Sequence, residues 1–530
     1  MSGNNGLPSG WTVMRLPDFC AHTPNAIKRG PFGSSLKKSF FVTRGFKVYE
    51  QQHAIQNDFA LGRYFISEHM FKEFAAFAVK AGDLIISCSG TIGRIAVVPE
   101  WAEPGIINQA LLKLSLDDKI IETKFFIAQF QFKHQQIISA NARGSGMNNL
   151  AGVKELKQVQ FVVPPLLEQR RIVAKIEELF SDLDAGVAAL ERAKANLNRY
   201  RAAVLKAAVE GTLTEAWRAE NPNTEPASKL LERILAERRK KWEADQLANL
   251  AAAKKEPPKN WQEKYVEPSL PDTSDLPELP EGWCWASIEQ CANDVTVGHV
   301  GPMKDEYVEE GVPFLRSQNV RPLCYERDGL RFVPLSFHDE LKKSKLFGGE
   351  LLVVRSGNIG DACVYPATEP EANCADLVIT RFAEDVDAHY ASIFVVSPLG
   401  QALVGGKRTG SALSHFNVGA MAKGPLPLPS FAEQSEIIRT VAEKLSQIDA
   451  AYAEIDNGLR RAGRLRQSIL KQAFEGKLVP QDPSDEPASV LLERLRATQA
   501  VHQGNGKVAP PARTRGRRAR VLRTEGRANE

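Results

Sequence analysis

Two runs of cations, amides and hydroxyls recur along this chain, and their chemistry is that of binding rather than bond-breaking. The first is Lys28-Arg29-Gly-Pro-Phe-Gly-Ser34-Ser35-Leu-Lys37-Lys38, four cations and two hydroxyls around a Gly/Pro turn. Cations neutralise phosphates, and glycine lets a backbone approach closely. Gln51, Gln52 and His53, then Ser89 and Thr91, Asn108 and Gln109, and Arg143 complete the candidates of the first half. Amide side chains match the adenine edge in a DNA major groove. The second half offers Arg316, Gln318 and Asn319, then Arg355 and Asn358, then Lys407, Arg408 and Ser411, with the same chemical character.

Catalytic signatures are absent. Gly406-Lys407 is followed by Arg408 and lacks the earlier glycine of a P-loop, and no dinucleotide or S-adenosylmethionine glycine fingerprint occurs. Asn221-Pro222-Asn223 lacks the second proline and the aromatic residue of an adenine-methylating loop, and nucleophile-elbow and zinc-protease patterns are missing. Asp328 with Glu340 and Lys342 has the spacing of a metal-dependent nuclease, but Arg327 stands where the motif needs proline, and Asp-Glu-Leu-Lys-Lys-Ser reads as a solvated helix face. The seven cysteines form no CxxC pair, and the nine histidines show no ligand spacing. No catalytic residue, metal or cofactor is expected in this chain.

The elements that position the candidates come in two copies. Residues 199–213 and 464–478 share eight identities in fifteen, and 225–234 and 486–495 share eight in ten. Pro-Pro-Leu-Leu-Glu-Gln (164–169) answers Pro-Ser-Phe-Ala-Glu-Gln (429–434). Gly-Asp-Leu-Ile-Ile-Ser-Cys-Ser-Gly-Thr-Ile-Gly (82–93) answers Gly-Glu-Leu-Leu-Val-Val-Arg-Ser-Gly-Asn-Ile-Gly (349–360), and Pro-Ser-Gly-Trp (8–11) answers Pro-Glu-Gly-Trp (280–283). Each copy opens with short apolar runs bounded by turn residues, such as 83–87, 95–98 and 351–354, which read as buried strands. Each closes with a long helix. Its apolar seam runs Ile172, Ile176, Leu179, Leu183, Val187, Leu190, Ala193, Leu197, Tyr200 and Val204 in the first copy. In the second it runs Val441, Leu445, Ile448, Tyr452, Ile455, Leu459, Ala462 and Leu465, with Lys444 interrupting it where the first copy has Leu179. Ser430 and Glu433 have capping-box spacing, and Gly211 and Gly476 stand where the helices should stop.

The expected fold is α+β: two strand-rich α/β domains separated by two long antiparallel helices, with a pseudo-twofold internal repeat. The boundaries are 1–164 for the first domain, 165–245 for the first helical spacer, 246–281 for a Pro-rich linker, 282–429 for the second domain, 430–500 for the second spacer, and 501–530 for a basic tail expected to be disordered. The 530 residues carry only +4, but the first domain sums to +6, the second to −5 and the tail to +6. No apolar run is long enough to span a bilayer and no signal peptide is apparent, so a soluble cytoplasmic protein with no membrane partner is expected.

This layout resembles the specificity subunits of type I restriction-modification enzymes over roughly residues 7–500. The resemblance rests on the paired 82–93 and 349–360 segments, the Glu-Gln entries to the long helices, and the Leu-Lys…Glu-Gly-x-Leu ends. It implies two target recognition domains, each reading one half of a bipartite target in double-stranded DNA, with the helices setting the gap. It also implies a non-catalytic chain that docks two modification subunits, which methylate adenine with S-adenosylmethionine, and restriction subunits that bring ATP and Mg²⁺. Cys88 in place of Arg355 means that a reading role is not shared at that position. The alternative is a scaffold binding proteins or glycans, which would show no salt-sensitive affinity for duplex DNA.

Overall fold

The computed structural model describes residues 6–31, 35–89, 91–139, 153–404 and 416–504. The chain forms two compact units that cut across the sequence repeat: residues 1–188 with 459–530, and residues 189–458. Each unit therefore takes a strand-rich domain from one copy and helical segments from both copies.

In the first unit, β1 (Thr12–Arg15), β2 (Ile27–Arg29), β3 (Phe46–Tyr49), β4 (Leu84–Ser87), β5 (Ile95–Val97), β6 (Gly105–Ile107), β7 (Leu111–Leu114) and β8 (Gln160–Val163) carry the domain. An antiparallel sheet has the order β2-β7-β4-β5; β3 and β6 run parallel inside a second sheet, and β1 pairs with β8. All four residues of β4 are buried, as a strand covered on both faces must be. The helix Thr123–Ser139 brings Phe126 within 5.8 Å of Phe19 and 5.5 Å of Phe161, ring centre to ring centre, at the heart of the core.

The second unit repeats this order element for element with β9 (Cys284–Ser287), β10 (Ala292–Val297), β11 (Val312–Leu315), β12 (Leu351–Val354), β13 (Ala362–Val364), β14 (Asn373–Cys374), β15 (Leu377–Phe382) and β16 (Pro425–Leu428). The sheet order is β10-β15-β12-β13, β11 is parallel to β14, and β9 pairs with β16. The repeat read from short motifs is thus a repeat of topology.

Four helices follow the strands: α1 (Leu166–Val209), α2 (Ala227–Ala252), α3 (Phe431–Phe474) and α4 (Ala488–Gly504). The Glu-Gln pair at the start of α1 and α3 ties helix to domain. Gln169 donates from Nε2 to the carbonyls of Ile120 and Pro164, both at 2.9 Å, and accepts from the Glu122 amide at 2.7 Å. Gln434 does the same with Asp385 O, Pro429 O and the Asp387 amide. Ser430 caps α3 by accepting from Glu433 N at 3.2 Å. The Glu433 side chain, however, does not complete the expected capping box. It turns into the core to accept from Thr214 Oγ1 at 2.7 Å, Trp283 Nε1 at 2.9 Å and the Arg218 guanidinium at 2.9 Å.

Gly211 and Gly476 end their helices with φ of +73° and +70°. Each packs against the tryptophan that opens the other copy, Gly211 on Trp283 and Gly476 on Trp11. Beside them Ala227 N donates to Gly282 O, and Ala488 N to Gly10 O. The end of each copy thereby closes on the beginning of the other.

Within each unit the long helices run antiparallel. In the second unit, Lys194 pairs with Asp456 at 2.9 Å and Arg201 with Asp449 at 3.3 Å, while Tyr452 bonds Asn198. In the first unit, Arg466 pairs with Asp184 and covers the Phe180 ring at 4.3 Å. The seam departs from the expected one at Tyr200 and Leu465, which are about half exposed (49% and 50%). At 3.6 residues per turn an apolar stripe drifts off a strict 3.5 repeat, and Val204 and Leu205 take over the buried face. Lys444 is only half buried and the stripe passes it by, through Val441, Leu445 and Ile448.

α2 runs seven residues beyond the expected boundary at 245, and the segment after it is not a free linker. Trp242 of α2 lies 5.9 Å from Trp261 and 5.3 Å from Tyr265, ring centre to ring centre, so the chain folds back on the helix through an aromatic cluster. No helix among the described residues is long and apolar enough to cross a membrane.

Candidate nucleic-acid interface

Strand register brings five of the first half's candidates, Arg29, Gln51, Ser89, Asn108 and Gln109, together around one turn. Arg29 is opposite Leu112, and Ser87 opposite Leu111, so Arg29-Gly30 and Cys88-Ser89 flank the turn that precedes β7. Parallel pairing of Tyr49 with Ile107 brings the start of the Gln51 helix and the turn at Asn108 to the same end of their strands. Backbone bonds fix the arrangement: Gly30 N to Leu111 O at 2.9 Å, Cys88 N to Ala110 O at 2.8 Å, and Asn108 N to Tyr49 O at 2.9 Å. Gly30 is obligatory here, because a Cβ would sit 1.9 Å from Asn108 O. Arg29 Nε points at Gln109 O from 3.5 Å, Ser89 Oγ donates to Gln51 Oε1 at 3.4 Å, and Asn108 Oδ1 accepts from Ala110 N at 3.0 Å. Burial pushes the Cys88 thiol up to about 11, against the opposing pull of Arg29, so it is a neutral side chain behind this surface.

The remaining candidates divide. Ser35, Lys37, Lys38, Gln52, Thr91 and Gln109 are exposed. Lys28 points to the opposite face from Arg29, as alternate strand residues do, and lies 5.1 Å from the Phe77 ring centre. His53 is buried, and both ring nitrogens are used: Nδ1 accepts from Glu50 N at 3.0 Å, so Nε2–H donates to Leu61 O at 3.0 Å. This histidine organises the loop and offers no free edge to a ligand. Ser34 and Arg143 lie outside the described residues, as do Lys407, Arg408, Ser411 and the tail from residue 505.

The second unit builds the same sheet end. Gly298 N donates to Leu377 O at 2.8 Å, and a Cβ on Gly298 would meet Cys374 O at 2.7 Å, so it is the counterpart of Gly30. Arg316 N donates to Asn319 Oδ1 at 3.0 Å, which repeats the Glu50–His53 turn, and Asn319 is fully buried. Arg316 and Gln318 both reach Gly329 O at 3.0 Å. Arg355 Nε is 3.9 Å from Asp376 Oδ1, and Ser356 Oγ donates to Asp376 Oδ2 at 3.4 Å. Asn358 is exposed.

The sequence reading missed Gly30, Gly298, Ser356 and Asp376. The signal was present in the offset between copies, 272 at the Gly-Trp starts, 267 at Gly82/Gly349 and 265 at Pro164/Pro429, which places the partner of Gly30 close to 298. Among the described residues no group of three or more His, Cys, Asp or Glu is arranged to hold a metal ion.

Each unit thus presents a similar sheet end carrying arginine, amide and hydroxyl groups, and residues 8–192 match the type I restriction modification DNA specificity domain. The chain is 27% identical over 525 residues to the type I restriction enzyme EcoKI specificity subunit of Escherichia coli (strain K12), covering 94% of this chain and 97% of that protein. It is 25% identical to the EcoBI specificity subunit of Escherichia coli, covering 80% and 81%. Its fold is shared, at a TM-score of 0.60 and 17% identity, with a chain solved in work on complex assembly and conformational transition of the type I R-M system; the match covers 89% of this chain and 99% of that one. Along most of its length the chain is therefore similar to specificity subunits of type I restriction-modification systems.

Proposed function

We propose that this chain reads DNA for a type I restriction-modification complex, one half of a split target with each sheet end. The observation that carries this reading is the repetition of the same glycine-lined sheet end, with its arginine, amide and hydroxyl groups, in both units of a chain similar along 94% of its length to a specificity subunit. Arginine and amide groups are the side chains that match base edges, whereas the exposed Lys37 and Lys38 suit phosphates. The long helices would set the gap between half-sites and dock two modification subunits. Those subunits would bring S-adenosylmethionine, flip the target adenine and methylate it, and restriction subunits would add ATP and Mg²⁺ chemistry. The work would be done in the cytoplasm, on the genome.

The test is a domain exchange. Replacing residues 1–164 with the corresponding domain of another specificity subunit should change one half of the methylated motif and leave the other half and the gap intact. A motif changed in both halves, or unchanged, would overturn the reading.

A further inference from the structure

The geometry points to Arg29 and Arg355 as one reading group delivered from two different strands, each guanidinium held over the same turn to grip a guanine edge in its own half-site. This rests on the DNA-reading role proposed above and assigns the base class within it.

The two arginines are not equivalent in the sequence repeat. With Gly30 matching Gly298, the counterpart of Arg29 is Val297 on β10; with Gly82 matching Gly349, the counterpart of Arg355 is Cys88 after β4. The first unit thus has Arg and Cys where the second has Val and Arg. Both guanidiniums nevertheless address the turn entering the central strand. Arg29 reaches it from the β2 side, with Nε 3.5 Å from Gln109 O. Arg355 reaches it from the β12 side, with Nε 3.9 Å from Asp376 Oδ1, in a turn one residue shorter. Cys88 N and Arg355 N bond matching carbonyls of that turn, Ala110 O and Asp376 O. Valine and cysteine fill the vacated positions, so neither strand needs an arginine for its own packing. What both units keep is the charged fork at the turn.

The chemistry at the fork separates base reading from phosphate anchoring. Arg29 has no ion-pair partner among the described residues, and Arg355 Nε is buried without a hydrogen-bond acceptor, its carboxylate neighbour lying beyond bonding distance. Arg29 is partly buried and the Arg355 side chain only 18% exposed, both at a strand end, which restrains them, unlike the exposed Lys37 and Lys38. A planar, pre-positioned fork whose terminal Nη groups have no acceptor among the described residues matches the O6 and N7 acceptors of guanine, which a point charge on a flexible stem does not.

The experiment uses the full-length chain assembled with its modification subunits, and reads methylation across a randomised target library by long-read sequencing. R29A and R29K should each relax one G·C position in one half of the motif, with discrimination falling roughly five- to a hundredfold, and R355A and R355K should do the same in the other half only. Lysine should fail as alanine does, because it keeps the charge and loses the fork. A uniform loss across all sequences with the salt slope reduced by about one would make these arginines phosphate anchors and overturn the assignment. So would lysine variants with wild-type selectivity, or both arginines acting on the same half. If the wild-type complex methylates no split motif, the DNA-reading role itself fails, which is a separate result.

Discussion

Glu168 and Glu433 hold the same place in the two copies and meet opposite surroundings. Glu433 is buried with Thr214, Trp283 and Arg218 all donating to it. Glu168 is equally buried, but neither its Oε1 nor Trp11 Nε1 closes a hydrogen bond, and Arg171 is engaged with Asp485 at 2.6 Å. Burial holds the Glu168 carboxyl above its ordinary range, against weaker pulls from Trp11 and Arg171 and with Asp485 adding to the rise. A raised folded value means that the native state keeps this proton longer than the unfolded chain. Its contribution is therefore best below the unfolded value of about 4.3 and is lost as pH rises through the folded one. Glu168→Gln should be neutral or stabilising at pH 7 and should remove that part of the pH slope. Glu433→Gln should cost about 2–4 kcal/mol by weakening charge-assisted bonds in a buried site. Urea unfolding of both variants from pH 4 to 8 checks this, and equal losses for the two would refute it.

At the scale of elements, α4 belongs to the first domain's foundation although it is encoded nearly 500 residues later. Ala488 and Leu492 are buried in the core that holds Trp11 and Met14, and Asp485 pairs with Arg171. Ending the chain after residue 483 should cost the first unit about 3–5 kcal/mol, from lost apolar burial and an orphaned arginine. Hydrogen exchange should show β1 and β8 deprotected with β9 and β16 unchanged; protection retained in β1 would contradict this. Periodicity made α1 and α3 legible, and Gly211 and Gly476 marked their ends, because helix period and left-handed glycine are local physics. The Glu-Gln motif was legible only as a helix start: its glutamine clasps carbonyls 5 and 49 residues away, contacts that no local pattern encodes. The Pro-rich segment misled because six prolines argue for extension, while the stacking of Trp242 on Trp261 depends on a partner nineteen residues earlier. For the same reason the sequence shows Cys88 where the second copy has Arg355, but not that strand register brings Arg29 to the same turn.

At the scale of the whole molecule, closure of each copy on the other's start means that the unit boundaries and the chain order disagree. The second unit is one uninterrupted stretch, residues 189–458, and it interrupts the first. On the ribosome this imposes an order of assembly. The opening domain emerges first but lacks Ile469, Ala473 and Phe474 of α3, and Leu492 of α4, until the whole second unit has been made. At roughly 5–20 residues per second, translating the intervening stretch of about 270 residues leaves that apolar floor uncovered for roughly 15–55 s. Nascent chains stalled with residue 458 just outside the exit tunnel should show a protease-resistant 189–458 and a sensitive 7–164. Chains stalled beyond residue 495 should protect both, and early resistance of 7–164 would show that it needs no such completion. A helix made only after the whole second unit thus finishes the first domain, so the sheet end of that domain rests on a complete foundation only once α4 has been translated.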